Sequence, residues 1–297
     1  AIIEKIQKEV PIMSTNENKG KKAEVTALQA ISAEDRKDWI SLAFVQAGIC
    51  VCVPAFLLGA LLAEAMPIWP AIISGSLGYL IVVVGMVATG MIGCDLGLAS
   101  CTCCQAGFGK SGARFIVSTI FAVNMIGWFG IQNGVCGEAF SNAMLAMTGW
   151  DIPVVVSNTI WGIIMLLTAV YGVHALEKLD KISIPLLMII MCYGIFLAFK
   201  VYGTGNLNDE GTVQSMSFMS GVALSFNFTA VGTITGPDYT RFQKSRKDTV
   251  KSVFYGVFPM GVITLIMGIV LTKLSGQYDI SMVLIEVGLP LLGIIAL

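Results

Sequence analysis

Eight stretches of this chain are apolar for about as long as a bilayer is thick. They fall at about 39–64, 68–94, 112–147, 152–173, 182–202, 214–236, 251–272 and 280–297. A helix crossing the hydrocarbon core needs about 20 residues. In lipid it must be a helix, because no water is present to satisfy open backbone groups. The pattern therefore predicts an all-α integral membrane protein with seven helices and the start of an eighth. The third stretch is long and must tilt or run on past the membrane. Composition agrees: 12% of residues are charged, against about 25% in a soluble domain. The Lys and Arg residues are scattered between apolar runs, so no basic cluster fit for nucleic acid exists.

Charge gives the orientation. With the N-terminus inside, the segments facing the cytosol hold all but two of the 18 Lys and Arg residues. The two exceptions are Lys200 and Lys273. Such an asymmetry places the N-terminus in the cytoplasm and supports the span count, since one missed helix would scramble it. Residues 1–38 are polar and lack the apolar core of a signal peptide, so they read as a mobile cytosolic tail. Residues 39–297 form the transmembrane domain, and the inner (plasma) membrane is the expected location.

Two helices carry breaks. Helix one reads "WISLAFVQAGICVCVPAFLLGALLAEAM", with Gly48 and Pro54 around "ICVCV". Proline removes a donor and clashes with the preceding turn. Helix six reads "SGVALSFNFTAVGTITGPDYTRF", interrupted by Gly232, Gly236 and Pro237, with Asn227, Thr229, Thr233 and Thr235 nearby. Interrupted helices five apart mark the midplane site of secondary transporters built from inverted repeats. Between them lies "AVNMIGWFGIQNGVCGEAF", residues 122–140. Asn124, Trp128 and Gln132 are four residues apart there and share one helix face.

These segments resemble the nucleobase–cation symporters, the cytosine permease family. "GFGKSGARFIVSTI" followed by "IGWFGIQNG" is similar to the family's third helix, and "GTITGPDYTRF" to the end of its sixth. "LAFVQAGICVCVPAFLLG" is similar to its first. The resemblance runs from about residue 39 to the last residue. It implies the sodium-coupled amino-acid transporter fold, ten core helices in two inverted repeats.

It further implies that Trp128 stacks on a flat substrate ring and that Gln132 hydrogen-bonds the ring edge. The cytosine branch has a glutamine three residues before the tryptophan, where this chain has Met125, so the resemblance does not single out cytosine. Helix six supplies the opposite face through Phe228, with Phe226 as the other candidate, and with Thr229 and Ala230 beside it. Cys52 and Asn124 complete the candidate contacts. Two family carbonyl ligands for sodium map to Gly48 and Val51. The remaining ligands belong to helix eight, beyond "LPLLGIIAL", so the full-length protein is expected to continue with four or more helices.

Other features are weaker. "CTCC" at 101–104 lacks the paired cysteines or histidine partners of a structural metal site. The one histidine, His174, is too few for a haem protein. Glu138 and Glu286 lie toward outer helix ends. Asp238 and Arg241 sit in the family loop motif, where a gate or loop-fixing role competes with plain interfacial pairing. The reading is a transporter, not an enzyme: a symporter importing a nucleobase or similar planar nitrogen heterocycle by alternating access, coupled to sodium. It needs no cofactor beyond the coupling ion, and its partners are the small-molecule substrate and the lipid bilayer, with a monomer expected. A proton-coupled carrier for another small solute such as an amino acid is the alternative. A membrane redox enzyme or a channel fits less well.

Overall fold

The apolar stretches fold as helices. The computed structural model describes residues 29–170, 173–204, 207, 216–277, 279–289 and 291–292. The side chains of Val53 and of residues 168–180, His174 included, lie outside that description, as do residues 1–28 of the expected tail.

Span one is Trp39–Cys50 and Val53–Ala65, and span two is Ile68–Leu96. Span three, Ser118–Thr148, is entered through Gln105–Gly112 and a π-helical turn, Ala113–Val117. Spans four and five are Val154–Val170 and Val173–Tyr202. Span six is Phe218–Thr229 and Val231–Thr240, span seven is Arg246–Ser275, and span eight starts at Ile280–Glu286. Spans two and three end on Gly97 and Gly149, both at positive φ. Only glycine takes that left-handed cap without strain. Span four departs from expectation: its apolar part, Val154–Leu167, is shorter than a full crossing.

Of the two expected breaks, only that of span one leaves helical geometry. Span one bends by 52°. Val51 leaves helical geometry (φ −93°, ψ 73°) and Cys52 is extended (φ −147°, ψ 155°). Pro54 then restarts the helix from its first turn, where a missing N–H costs nothing. Span six is interrupted at Ala230 alone, with its backbone still right-handed helical. The expected breakers Gly232, Gly236 and Pro237 all lie inside Val231–Thr240.

The reason is span two. Pro237 has no N–H for the carbonyl of Thr233, one turn back. The Thr89 hydroxyl donates to that carbonyl at 2.6 Å instead. Two further bonds tie the same helices: Ser225 Oγ to the Gly75 carbonyl and Thr240 Oγ1 to the Gly90 carbonyl, both 2.7 Å. A Cβ on Gly93 would sit 2.5 Å from Pro237 Cα, so the helices meet at backbone distance. Neighbouring helices re-satisfy a proline break in this way.

A prediction follows. Thr89→Val leaves the Thr233 carbonyl unpaired and should cost about 1–2 kcal/mol. In a Pro237→Ala background the restored amide should offset most of that loss. Thermal unfolding of the four proteins checks it, and equal damage in both backgrounds would refute the assignment.

Spans one, two, six and seven form one dense bundle. Leu58 and Leu62 of span one, Tyr79, Val83 and Met86 of span two, and Val253, Val257, Leu265 and Ile269 of span seven share its core. Span three instead packs chiefly on span four. Gly137 faces Asn158 there, while Gly162 faces Asn133.

The last ten residues of the expected tail are attached to the bundle. Ile31 is buried, and its N–H reaches the Gly97 carbonyl at 3.0 Å. The Arg36 guanidinium donates to the carbonyls of Cys94 (2.9 Å) and Gln243 (3.0 Å). It thereby joins the end of span two to the loop between spans six and seven.

Candidate substrate cleft

The bundle and span three stand apart over part of their length, and the gap is a cleft of about 480 Å³. Asn124, Trp128 and Ile131 line it from span three; Asn227, Phe228, Ala230, Val231 and Ile234 line it from span six. The indole of Trp128 and the ring of Phe228 meet across it with centroids 5.3 Å apart. They meet edge to face, at 82°. This is a favoured geometry for an aromatic pair. It is not the parallel sandwich that would hold a flat ring, so a ring between them requires the pair to turn apart. Of the two helix-six aromatics, Phe228 is the one on the cleft.

The other expected contacts divide. Ala230 and Asn124 are on the cleft lining. Gln132 is one turn further along span three and half-buried, with its Nε2 4.0 Å from Cys136 Sγ. The hydroxyl of Thr229 donates to its own helix, to the Ser225 carbonyl at 2.8 Å. Cys52 Sγ likewise donates backward, to the Ile49 carbonyl at 3.4 Å. Met125 is exposed and off the lining. Among the residues sequence reasoning left out of the site, Asn227, Ile131, Val231 and Ile234 line it. A signal was present. Asn124, Trp128 and Ile131 follow the spacing i, i+4, i+7, and Asn227, Val231 and Ile234 repeat it, each starting with asparagine and ending with isoleucine.

The helix-one break offers a separate set of groups. Pro54 has no N–H for the Cys50 carbonyl. Ala55 N–H, the helical partner that Val51 would have, is bonded to the Cys52 carbonyl at 3.0 Å. Carbonyl oxygens released from a helix ladder are hard ligands suited to a small cation. Gly48 and Val51 stand at this break, Val51 buried and Gly48 half-buried.

On the expected cytosolic side, the Asp238 carboxylate accepts from Ser100 N–H at 3.0 Å. That fixes the short helix Ser100–Cys103 to the end of span six. Arg241 is buried with its guanidinium carbon 4.8 Å over the Phe242 ring. The CTCC cysteines sit in and after this short helix, and burial pushes the Cys103 thiol up to about 12. Among the described residues no three His, Cys, Asp or Glu side chains gather to hold a metal. At the other end, Glu138 is exposed, and Glu286 accepts from the Tyr202 hydroxyl at 3.1 Å.

Comparison with known proteins agrees with this architecture. The chain is 28% identical over 266 residues to the cytosine permease of Escherichia coli (strain K12), covering 88% of this chain and 61% of that protein. It is 25% identical over 247 residues to the purine-uracil permease NCS1 of Arabidopsis thaliana, covering 74% and 41%. The chain thus spans about three fifths of the length of the first of these relatives. Among solved structures, it superposes on Mhp1, a nucleobase-cation-symport-1 family transporter in a closed conformation with bromovinylhydantoin bound. The TM-score is 0.79 at 17% identity, over 90% of this chain and 64% of that one. The inward-facing conformation of Mhp1 gives 0.77 at 17% identity, over 94% and 65%. The inverted-repeat transporter fold is therefore present. A protein family described as permeases for cytosine/purines, uracil, thiamine and allantoin matches residues 31–288, and this chain, a multi-pass membrane protein, belongs to that family.

Proposed function

We propose that the protein is a symporter that imports a planar nitrogen heterocycle, of the cytosine, uracil, purine, allantoin or hydantoin kind, together with sodium. The observation that carries this is the aromatic pair Trp128–Phe228, 5.3 Å apart on opposite walls of one cleft. Ring faces recognise flat heterocycles, and each wall contributes one. The relatives named for cytosine and for purines and uracil support the same substrate class.

Coupling is assigned to the helix-one break. Carbonyls of Gly48 and Val51 would hold the cation, and the Val51 carbonyl has already lost its helical donor to Cys52. Gln132, one turn from the indole along span three, would pair with the ring's edge. The division between the bundle of spans one, two, six and seven and the pair of spans three and four fits rocking of one body against the other. The charge asymmetry supports an N-terminus in the cytoplasm, and the reading puts the protein in the plasma membrane.

The test is binding and uptake by the purified full chain in proteoliposomes, across the five ring classes, with and without a sodium gradient. One class should be accumulated, and sodium should raise its affinity. By linkage, substrate must then raise sodium affinity by the same factor. No response to any planar ring would overturn the proposal. Uptake that follows a proton gradient and ignores sodium would remove the coupling assignment alone.

A further inference from the structure

We infer that Arg36 is a positioning residue for the candidate cation site: by strapping the cytosolic end of span one to the bundle, it keeps the Gly48 and Val51 carbonyls in place. The inference rests on the proposed sodium coupling.

The helix-one break creates the need for such a residue. Val51 and Cys52 leave helical geometry, so the ladder of Trp39–Cys50 does not run on into Val53–Ala65. The first half of span one is therefore a separate helix of 12 residues, about 18 Å long, with Gly48 near its broken end. A helix hinged at one end is placed by what holds its side and its other end. Span seven holds the side. A Cβ on Gly256 would lie 2.6 Å from the Ala43 carbonyl oxygen, and Cys50 Sγ donates to the Val257 carbonyl at 3.7 Å. The other end is held by the segment that leads into it.

That hold is built around Arg36. Its Nη1 donates both to the Cys94 carbonyl at 2.9 Å and to the Gln243 carbonyl at 3.0 Å. Cys94 lies in the last turn of span two, and Gln243 follows the end of span six at Thr240. Carbonyls in the last turn of a helix lack a partner inside it, and two negative helix ends converge here. A guanidinium between them satisfies the carbonyls and offsets the dipoles. The backbone adds two bonds, from Lys37 N–H to the Phe242 carbonyl at 2.6 Å and from Ile31 N–H to the Gly97 carbonyl at 3.0 Å. Ile31, Leu42 and Phe242 form a buried apolar cluster of their own, and Leu42 belongs to the first half of span one. The Asp38–Lys244 pair, 2.6 Å apart, is exposed and contributes little, which leaves the weight on Arg36.

Removing the guanidinium strands both carbonyls and lets the two helix ends repel. The strap then loosens, and the half-helix gains freedom at its broken end. Carbonyls on a mobile helix bind a cation more weakly, because binding must first order them. The aromatic walls of the cleft lie on spans three and six, not on this half-helix. Arg36 therefore governs cation affinity and leaves cation-free ring binding alone.

The experiment uses the purified full chain as wild type, Arg36→Ala, Arg36→Lys, Ile31→Ala and Asp38→Ala. Sodium affinity is read from the rise in melting temperature as sodium replaces choline at constant ionic strength. Binding of cytosine, uracil, adenine, allantoin and hydantoin is measured without sodium. Amide hydrogen exchange over residues 39–50 is followed with neither sodium nor ring present. Arg36→Ala should raise the sodium Kd roughly tenfold and speed exchange over 39–50, with sodium-free ring binding unchanged. Arg36→Lys should recover part of the loss, since an ammonium can also donate to two carbonyls. Ile31→Ala should shift sodium affinity in the same direction, and Asp38→Ala should match wild type. Wild-type sodium affinity in Arg36→Ala, or an equal loss of sodium-free ring binding, overturns the inference and spares the transport reading. If Arg36→Ala does not fold, wild-type sodium affinity in both Arg36→Lys and Ile31→Ala overturns it. If sodium leaves the wild-type melting temperature unmoved, the coupling reading fails and takes the inference with it.

Discussion

Replacing Trp128 by alanine should weaken heterocycle binding by about 1–3 kcal/mol, the range found when an aromatic platform under a base is removed. That is roughly a five- to 150-fold rise in Kd. The indole supplies one wall of the cleft and meets Phe228 at 5.3 Å. Removing it takes away the largest flat surface there. Trp128→Phe should retain part of the affinity, because a smaller ring face remains. Phe228→Ala should weaken binding as well, and the double variant should lose less than the sum, since the two rings share one substrate. The apo protein should lose little stability, because a T-shaped pair is worth about 0.5–1.5 kcal/mol beyond its buried area. Radioligand binding to the purified protein checks this. An unchanged Kd in Trp128→Ala would remove the aromatic pair as the substrate platform.

Gly268→Val should be strongly destabilising, by about 3 kcal/mol, the upper end of the usual overpacking range. A Cβ at Gly268 would lie 2.5 Å from the Phe56 carbonyl oxygen and 2.8 Å from Phe56 Cα. The contact is reciprocal: a Cβ at Gly59 would lie 2.6 Å from the Leu265 carbonyl oxygen and 2.8 Å from Ile269 N. All four neighbours are backbone atoms, so no rotamer can move aside, and spans one and seven must separate. Lipid competes equally for apolar side chains, so close backbone approach is what holds such helices together. Gly130→Ala is the matched control, because nothing lies within 4 Å of a Cβ there. It should be neutral or slightly stabilising, since alanine is the better helix former. Thermal unfolding in detergent compares the two. Equal melting temperatures would show that the span-one–span-seven contact is looser than this geometry.

Periodicity carried less of the site than of the fold. The spacing of Asn124 and Trp128 put both on one helix face, and both are on the cleft. Gln132 shares that spacing but drifts off the lining, since each step of four residues rotates about 40° around a helix of 3.6 residues per turn. Asn227 was visible as one of several polar residues near a break. Its place on the cleft lining depends on which residues of span three face it, and no local pattern within span six contains that.

Span six shows the same division. Gly232, Gly236 and Pro237 read locally as the strongest breakers in the chain. They sit inside a helix because Thr89, 144 residues earlier than Thr233, supplies the hydrogen bond that Pro237 forfeits. Span one bends by 52°, and among the described residues no side-chain donor bridges its freed carbonyls.

By itself the sequence determined that this chain lives in a bilayer and that span one is interrupted. Those properties follow from hydropathy, length and proline chemistry, all of which act within one helix. The tertiary structure decided where span six yields, which aromatic of Phe226 and Phe228 meets Trp128, and which amides reach the cleft. These are set by contacts between helices far apart in the chain, where a glycine on one helix and a hydroxyl on another fix the distance and rotation.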